Sequence, residues 1–219
     1  GVMASFGAHR AGTGIVTLAM PDCLQGRLSC QVLPETILQY LPSFEGGLSL
    51  SAEKCSELAG RFRTILAGPG WGRGATRATS LANLLESWNG VMVLDADALN
   101  MIADTDLLAK SQARIIITPH LAEMARLCQT TVADVAENQV EIARKFAGKN
   151  RVTVVLKSAI TVIADHRGVT YICSRPTAAW PVADRETCFR VLLPVWPQPE
   201  FLNCTQQLPV FFCLPKPLT

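Results

Sequence analysis

Between residues 15 and 172, short apolar runs rich in β-formers alternate with stretches of helical spacing, and few folds accommodate that alternation. The runs cover residues 15–19 (after the glycine turn Gly12-Thr13-Gly14), 64–67, 91–94, 114–118, 152–156, 161–164 and 169–172. Helical spacing lies between them. Residues 51–62 set Ala52, Cys55, Leu58 and Ala59 on one face, and residues 79–88 and 121–128 repeat the pattern. Thr131 and Asp134 make a capping-box-like start for a further helix that carries Val140, Ile142, Ala143 and Phe146, with Gly148 suited to its stop. Strands separated by helices imply βαβ units, so the expected fold is α/β: a central, mostly parallel sheet with helices on both faces. In such sheets ligands bind beyond the carboxyl ends of the strands.

Composition narrows the function classes. The 219 residues hold 20 Lys+Arg against 18 Asp+Glu, and a net charge of +2 gives no electrostatic case for nucleic acid or an anionic membrane surface. With 49% hydrophobic and 17% charged residues the chain can bury a core, which excludes general disorder. No apolar run is long enough to span a bilayer, and the first ten residues lack the pattern of a secretory signal. The chain opens on Gly1, so a trimmed beginning is expected. Its eight cysteines are scattered without a CxxC or His-spaced metal pattern, which favours reduced thiols and a cytoplasmic location.

All 15 glycines lie at or before Gly168, whereas eight prolines, from Pro176 to Pro217, crowd the end. Neither a period of 2 nor one of 3.6 persists beyond about Thr170. The expected organisation is a folded unit over residues 1–172 followed by a Pro-rich tail over residues 173–219.

The polar clusters of the first unit fall at strand ends. Gly68-Pro69-Gly70-Trp71-Gly72 lets backbone pass close to a ligand, with a plain strand-to-helix turn as the alternative. Trp71 offers a ring wall or simply packs. Asp95 and Asp97, with Asn100 beyond them, can hold a magnesium–phosphate group through water or substrate hydroxyls, while one aspartate caps the next helix. Thr118-Pro119-His120 with Glu123 follows the next strand. There His120 is either a donor to a nicotinamide carboxamide or phosphate, or a structural histidine. Lys157, Ser158, Ala159, Ile160 and Thr161 join two strands and can set an ammonium and backbone N–H groups around a nucleotide phosphate, unless Lys157 is only a solvated hairpin lysine.

Taken in order, GPGWG, LDADALN, ITPHLAEMARL and VVLKSAITVIAD resemble the ADP-dependent NAD(P)H-hydrate dehydratases, whose motifs approximate GPGLG, DADALN, TPHPGEMARL and VLKGAGTVI. The resemblance runs from about Arg10 to Ile172. It implies a ribokinase-like fold, here incomplete at both ends, and ADP- or ATP-dependent removal of water from the (6S)-hydrate of NADH or NADPH, with magnesium. Phosphorylating the hydrate hydroxyl makes a good leaving group that the nicotinamide nitrogen can expel. By resemblance, Gly70, Gly72, Asp95, Asp97, Asn100, Thr118, His120 and Glu123 form the substrate side, with Gly72 and His120 contacting the hydrate. Lys157 through Thr161 line the nucleotide phosphates. Relatives of this kind often carry an epimerase domain in the parent protein, and a homo-oligomer is open. Another ribokinase-like small-molecule kinase and an inactive nucleotide-binding remnant stand as alternatives.

The chain departs from the family pattern at Leu121 and Ala122, in place of Pro-Gly, and at Ser158 and Ile160, in place of loop glycines. The family's glycine-rich segment with its general-base Asp, a run like GNPGMATGGSGDVLSG, is missing after Ile172, so no catalytic base is recognisable. Reading each codon from the third base of one residue gives Met at Ala179-Trp180. From Trp180 to Val191 the same shift allows Ala-Gly-Gly-Gly-Ser-Gly-Asp-Val-Leu-Ser-Gly, the Asp depending on one wobble base. A single-base frameshift between about Val169 and Ala178 is therefore expected as the origin of the tail. Asp184 and Glu186 are not taken as substitutes for the missing base.

Overall fold

The computed structural model describes residues 1–27, 31–173 and 211–212. Its main sheet has six strands in the order β10-β9-β8-β7-β6-β5. These are β5 (Thr64–Ala67), β6 (Val91–Leu94), β7 (Arg114–Ile117), β8 (Thr153–Leu156), β9 (Thr161–Ala164) and β10 (Thr170–Cys173). β5 to β8 run parallel, whereas β8–β9 and β9–β10 are antiparallel. A second, parallel group joins β1 (Thr17–Pro21) to β2 (Ile37–Leu41) on one side and to β11 (Phe211–Phe212) on the other. The hairpin β3 (Ser43–Phe44) and β4 (Gly47–Leu48) stands beside α3 (Ala75–Ser87).

The parallel strands read as continuous apolar runs because both of their faces are covered. Ile65, Met92, Leu94, Ile115, Ile117, Val154 and Leu156 face one core. Their neighbours Leu66, Val91, Val93, Ile116 and Val155 face the other. The first core takes residues from α2 (Ala52–Arg61), α3, α4 (Asp97–Ile102), α5 (Leu107–Lys110), α6 (Leu121–Cys128), α7 (Val132–Glu137) and α8 (Gln139–Asn150). The second takes Ala4 and Ala8 from α1 (Val2–Arg10), together with Leu18 and Met20 of β1, Val16 and Leu24. Helices thus lie on both faces, as expected, but unequally.

Local chemistry explains several element boundaries. Ser51 caps α2 by accepting from the Lys54 amide. The expected Thr131–Asp134 capping box is present, and each side chain accepts the other's backbone N–H. The helix after it differs from expectation. It breaks at Asn138, α8 runs through Gly148 to Asn150, and Arg151 at φ 56° takes the left-handed stop instead. Gly148 is simply tolerated inside the helix.

The first strand is also shifted, to Thr17–Pro21, because its pairing with β2 starts at Thr17–Ile37 and leaves Ile15 46% exposed. α3 begins one turn earlier than expected. The tail's expected features, including Asp184, Glu186 and the boundary beyond Cys173, lie outside the described residues apart from the short β11.

Candidate active site

Four adjacent parallel strands bring their carboxyl ends to one edge, and each end carries one of the polar clusters. β5 runs into Gly68-Pro69-Gly70-Trp71-Gly72. The Trp71 amide donates to the Gly68 carbonyl (3.0 Å), with Pro69 and a positive-φ Gly70 (75°) at the central positions, the requirement of a type II turn. Gly68, at φ 119°, lies so close to Asp95 and Ala98 that a Cβ would overlap the Asp95 carbonyl oxygen. Trp71 is only 4% exposed and packs in the core, so it offers no wall to a ligand ring.

β6 delivers Asp95 and Asp97. Neither caps α4 through its side chain, contrary to expectation. Ala96 is the N-cap, in an unusual positive-φ conformation (51°), and Asp97 is spent on the glycine loop, its Oδ2 accepting from the Gly72 amide at 2.9 Å. Backbone strain of this kind concentrates at functional sites. Asn100, one turn on, donates to the Ala96 carbonyl at 3.3 Å, and its Oδ1 is buried without a partner among the described residues.

β7 delivers Thr118 and His120. Thr118 is fully buried and its hydroxyl reaches the Leu94 carbonyl (3.4 Å), so it ties two strands together beneath the site and does not face a ligand. His120 caps α6: its Nδ1 accepts from the amides of Ala122 (3.1 Å) and Glu123 (3.4 Å), and Glu123 Oε2 accepts from the His120 amide (2.9 Å). With Nδ1 an acceptor, the neutral ring carries its proton on Nε2, which lies 3.5 Å from Glu123 Oε1 and is half-exposed. A histidine cap completing a capping box was not anticipated from the sequence.

β8 delivers Lys157, joined to the His120 segment by a parallel bridge and by its amide, which donates to the Pro119 carbonyl at 2.8 Å. Lys157 is not a solvated hairpin lysine. It is buried, and its Nζ donates to Asp95 Oδ1 at 3.1 Å. In the loop that follows, the Ser158 hydroxyl donates toward Gln139 Oε1 (2.7 Å) and accepts the Ile160 amide (3.3 Å). Ala159 and Ile160 are exposed, and Thr161 is buried. The loop therefore satisfies one of its own amides with a side chain that a glycine would lack.

The buried charges act on one another. Burial pushes the Glu123 carboxyl above its usual range, and the nearby Asp95 adds to this; the His120 backbone hydrogen bond, His120 itself and Lys157 oppose it. Among the described residues no group of three His, Cys, Asp or Glu could hold a metal; magnesium commonly binds through one or two carboxylates together with substrate phosphates.

Arg77 was missed by sequence reasoning. It is buried on α3, donating through Nη2 to the Glu45 carbonyl (2.9 Å) and through Nη1 to the Arg73 carbonyl (3.3 Å). It thereby fixes the β3–β4 turn and the end of the glycine loop against one helix. Gly47 leaves the space its guanidinium occupies. The only local signal was the Gly46-Gly47 turn, and its partner lies some thirty positions away.

Residues 1–183 match the NAD(P)H-hydrate dehydratase family, a match that continues past residue 172 into the tail. The bifunctional NAD(P)H-hydrate repair enzyme of Moorella thermoacetica is 37% identical over 174 residues, covering 78% of this chain and 32% of that protein. The chain spans about a third of the length of the curated relatives it matches first. Among solved structures, the ADP/ATP-dependent NAD(P)H-hydrate dehydratase of Bacillus subtilis co-crystallized with ATP and Mg2+ aligns with a TM-score of 0.68 at 22% identity, over 91% of this chain and 69% of that one. Hydroxyethylthiazole kinase of Pyrococcus horikoshii aligns less well, with a TM-score of 0.52 at 12% identity over 85% and 72%. These likenesses establish a ribokinase-like fold. The match over residues 1–183 places this chain in the NAD(P)H-hydrate dehydratase family.

Proposed function

We propose that the carboxyl edge of β5–β8 is the site of an ADP-dependent dehydratase that returns the (6S)-hydrate of NADH or NADPH to the reduced cofactor. The observation that carries this reading is the convergence of the glycine loop, Asp97, His120 and buried Lys157 on four adjacent strand ends, one cluster per strand. Gly70 and Gly72 give the ring a close approach to backbone. Asp95, Asp97, Asn100, Thr118 and Glu123 position the loop and the charges, and His120 offers an Nε2–H donor to the hydrate. ADP or ATP, when bound with Mg2+, supplies the phosphoryl group that makes the ring hydroxyl a leaving group. Nitrogen then expels phosphate and a neighbouring ring carbon gives up a proton. Lys157 brings positive charge to the nucleotide side, with Ser158, Ala159, Ile160 and Thr161 forming the loop around it.

Turnover in this chain is low on the same reading. No glycine follows Gly168, so the phosphate-cradling segment and its Asp are missing. Loss of a general base alone costs about 10²–10⁴-fold in rate. The tail from residue 173 is proposed to arise by frameshift, and coding DNA whose codons forbid the shifted reading would end that idea. A cytoplasmic location, a homo-oligomer and an epimerase domain in the parent protein belong to the same proposal. Among the described residues no helix is long and apolar enough to cross a membrane.

The second reading, a nucleotide-binding remnant without turnover, is favoured by the Ser158 hydroxyl occupying the Ile160 amide. Calorimetric titration with ADP–Mg2+ and with NADPH hydrate, run beside a turnover assay, separates the two. Binding of both ligands with measurable ADP-dependent turnover supports an enzyme. Binding with none supports a remnant, and binding of neither contradicts both.

A further inference from the structure

Next to the glycine loop, from Arg73 onward, lies a cavity of about 640 Å3 between α4 and α6, within the ~300–1,000 Å3 common for small-molecule sites. Each wall starts beside a site residue. Arg73 follows Gly72, Asn100 lies one turn along α4 from Asp97, and Ala122 stands two positions after His120. From Ala122 the trough follows α6 past Ala125 and Arg126 to Gln129, about 10 Å at the helical rise. The alanines keep its floor low. Arg73 and Arg126 are exposed, and neither has an ion-pair partner among the described residues. The one carboxylate in the lining, Asp104, lies toward the Gln129 end and accepts from the Gln129 amide. Asn100 stands on the α4 wall, with its Oδ1 buried and without a partner among the described residues. Two exposed guanidinium groups suit a phosphate, because guanidinium pairs with phosphate in a fork geometry.

We propose that this trough is a second subsite, which holds a phosphate of the adenosine half of the dinucleotide while the nicotinamide ring sits at the glycine loop. The proposal rests on the dehydratase reading. The phosphate is either the pyrophosphate, common to both substrates, or the 2′-phosphate of NADPH.

The test is calorimetric titration of the full chain and of R73Q/R126Q with the hydrates of NADPH, NADH and reduced nicotinamide mononucleotide, and with ADP. Both side chains are exposed, so thermal stability is expected to stay unchanged. In the double variant the dinucleotide hydrates bind about 10- to 100-fold more weakly. The mononucleotide hydrate and ADP, which do not use the trough, keep their affinity. Equal weakening for NADH and NADPH hydrates assigns the pyrophosphate, and weakening of the NADPH hydrate alone assigns the 2′-phosphate. Unchanged dinucleotide affinity, or an equal loss for the mononucleotide, overturns the subsite and leaves the dehydratase reading intact. An unaltered chain that binds no hydrate overturns that reading, and the subsite with it.

Discussion

Removing the Lys157 ammonium tests how the site is held together. Its Nζ lies 3.1 Å from Asp95 Oδ1, with side-chain exposures of 8% and 11%. At an effective dielectric of about 20, a pair at that distance attracts by roughly 5 kcal/mol. Most of that offsets the desolvation of both ions, so the net worth of the intact pair is small. Breaking it on one side is different, because the buried carboxylate then keeps its desolvation cost without compensation. Lys157→Met is expected to lose about 3–5 kcal/mol, a large share of the roughly 5–15 kcal/mol typical of a domain. Adding Asp95→Asn to Lys157→Met should restore part of the loss, giving a coupling of about 2 kcal/mol or more between the two positions. Urea unfolding of the four proteins of the cycle measures this, with a constant m-value as the check that the unfolded state is unaltered. If Lys157→Met costs less than about 1 kcal/mol, or the two single losses simply add, the buried pair does not hold the ends of β6 and β8 together.

Four further outcomes follow from particular positions. Gly68→Ala should cost about 2–5 kcal/mol in urea unfolding, since it combines a disallowed φ with overlap on the Asp95 carbonyl; Gly148→Ala, facing open space inside α8, should gain about 0.5–1 kcal/mol. Hydrogen bonds from the Thr131 and Thr130 hydroxyls and from the Thr131 amide hold the Asp134 carboxyl below its usual range. Its contribution is therefore present above the ordinary aspartate range and lost as pH falls through the lowered value, so the gap in stability between the parent protein and D134N should close as the solution is acidified. Burial pushes the Cys55 thiol up to about 12, so iodoacetamide near pH 8 should label exposed Cys23 in the folded protein and spare Cys55 until it unfolds, as read by peptide mass mapping.

Sequence made some parts of this protein plain and hid others for identifiable reasons. β5 to β8 were legible because β-branched runs buried on both faces cannot be mistaken for amphipathic helix, and the Thr131 box because its signal spans only four residues. The placement of the polar clusters at the ends of β5 to β8 followed from the alternation of strands and helices. The site's wiring did not. Lys157 and Asp95 are 62 residues apart, and whether a lysine after a strand is solvated or buried depends on which strand lies beside it. Asp95 and Asp97 both read locally as candidate helix caps, yet the Asp97 acceptor is claimed by the Gly72 amide, 25 residues away. Arg77 was missed, and the choice between ring wall and packing at Trp71 stayed open, because their surroundings come from distant segments. Gly148 was read as a stop, although the left-handed residue that ends α8 is Arg151.

The most direct measurement is turnover of NADPH hydrate, followed as recovery of NADPH absorbance with and without ADP and Mg2+. It compares this chain with a version whose tail is read in the shifted frame. The expected result is ADP-dependent recovery by the shifted version, with this chain slower by about 10²-fold or more. Equal, ADP-dependent turnover by the chain as it stands would mean that a residue set aside here supplies the base. No turnover by either version would contradict the assignment of the site itself.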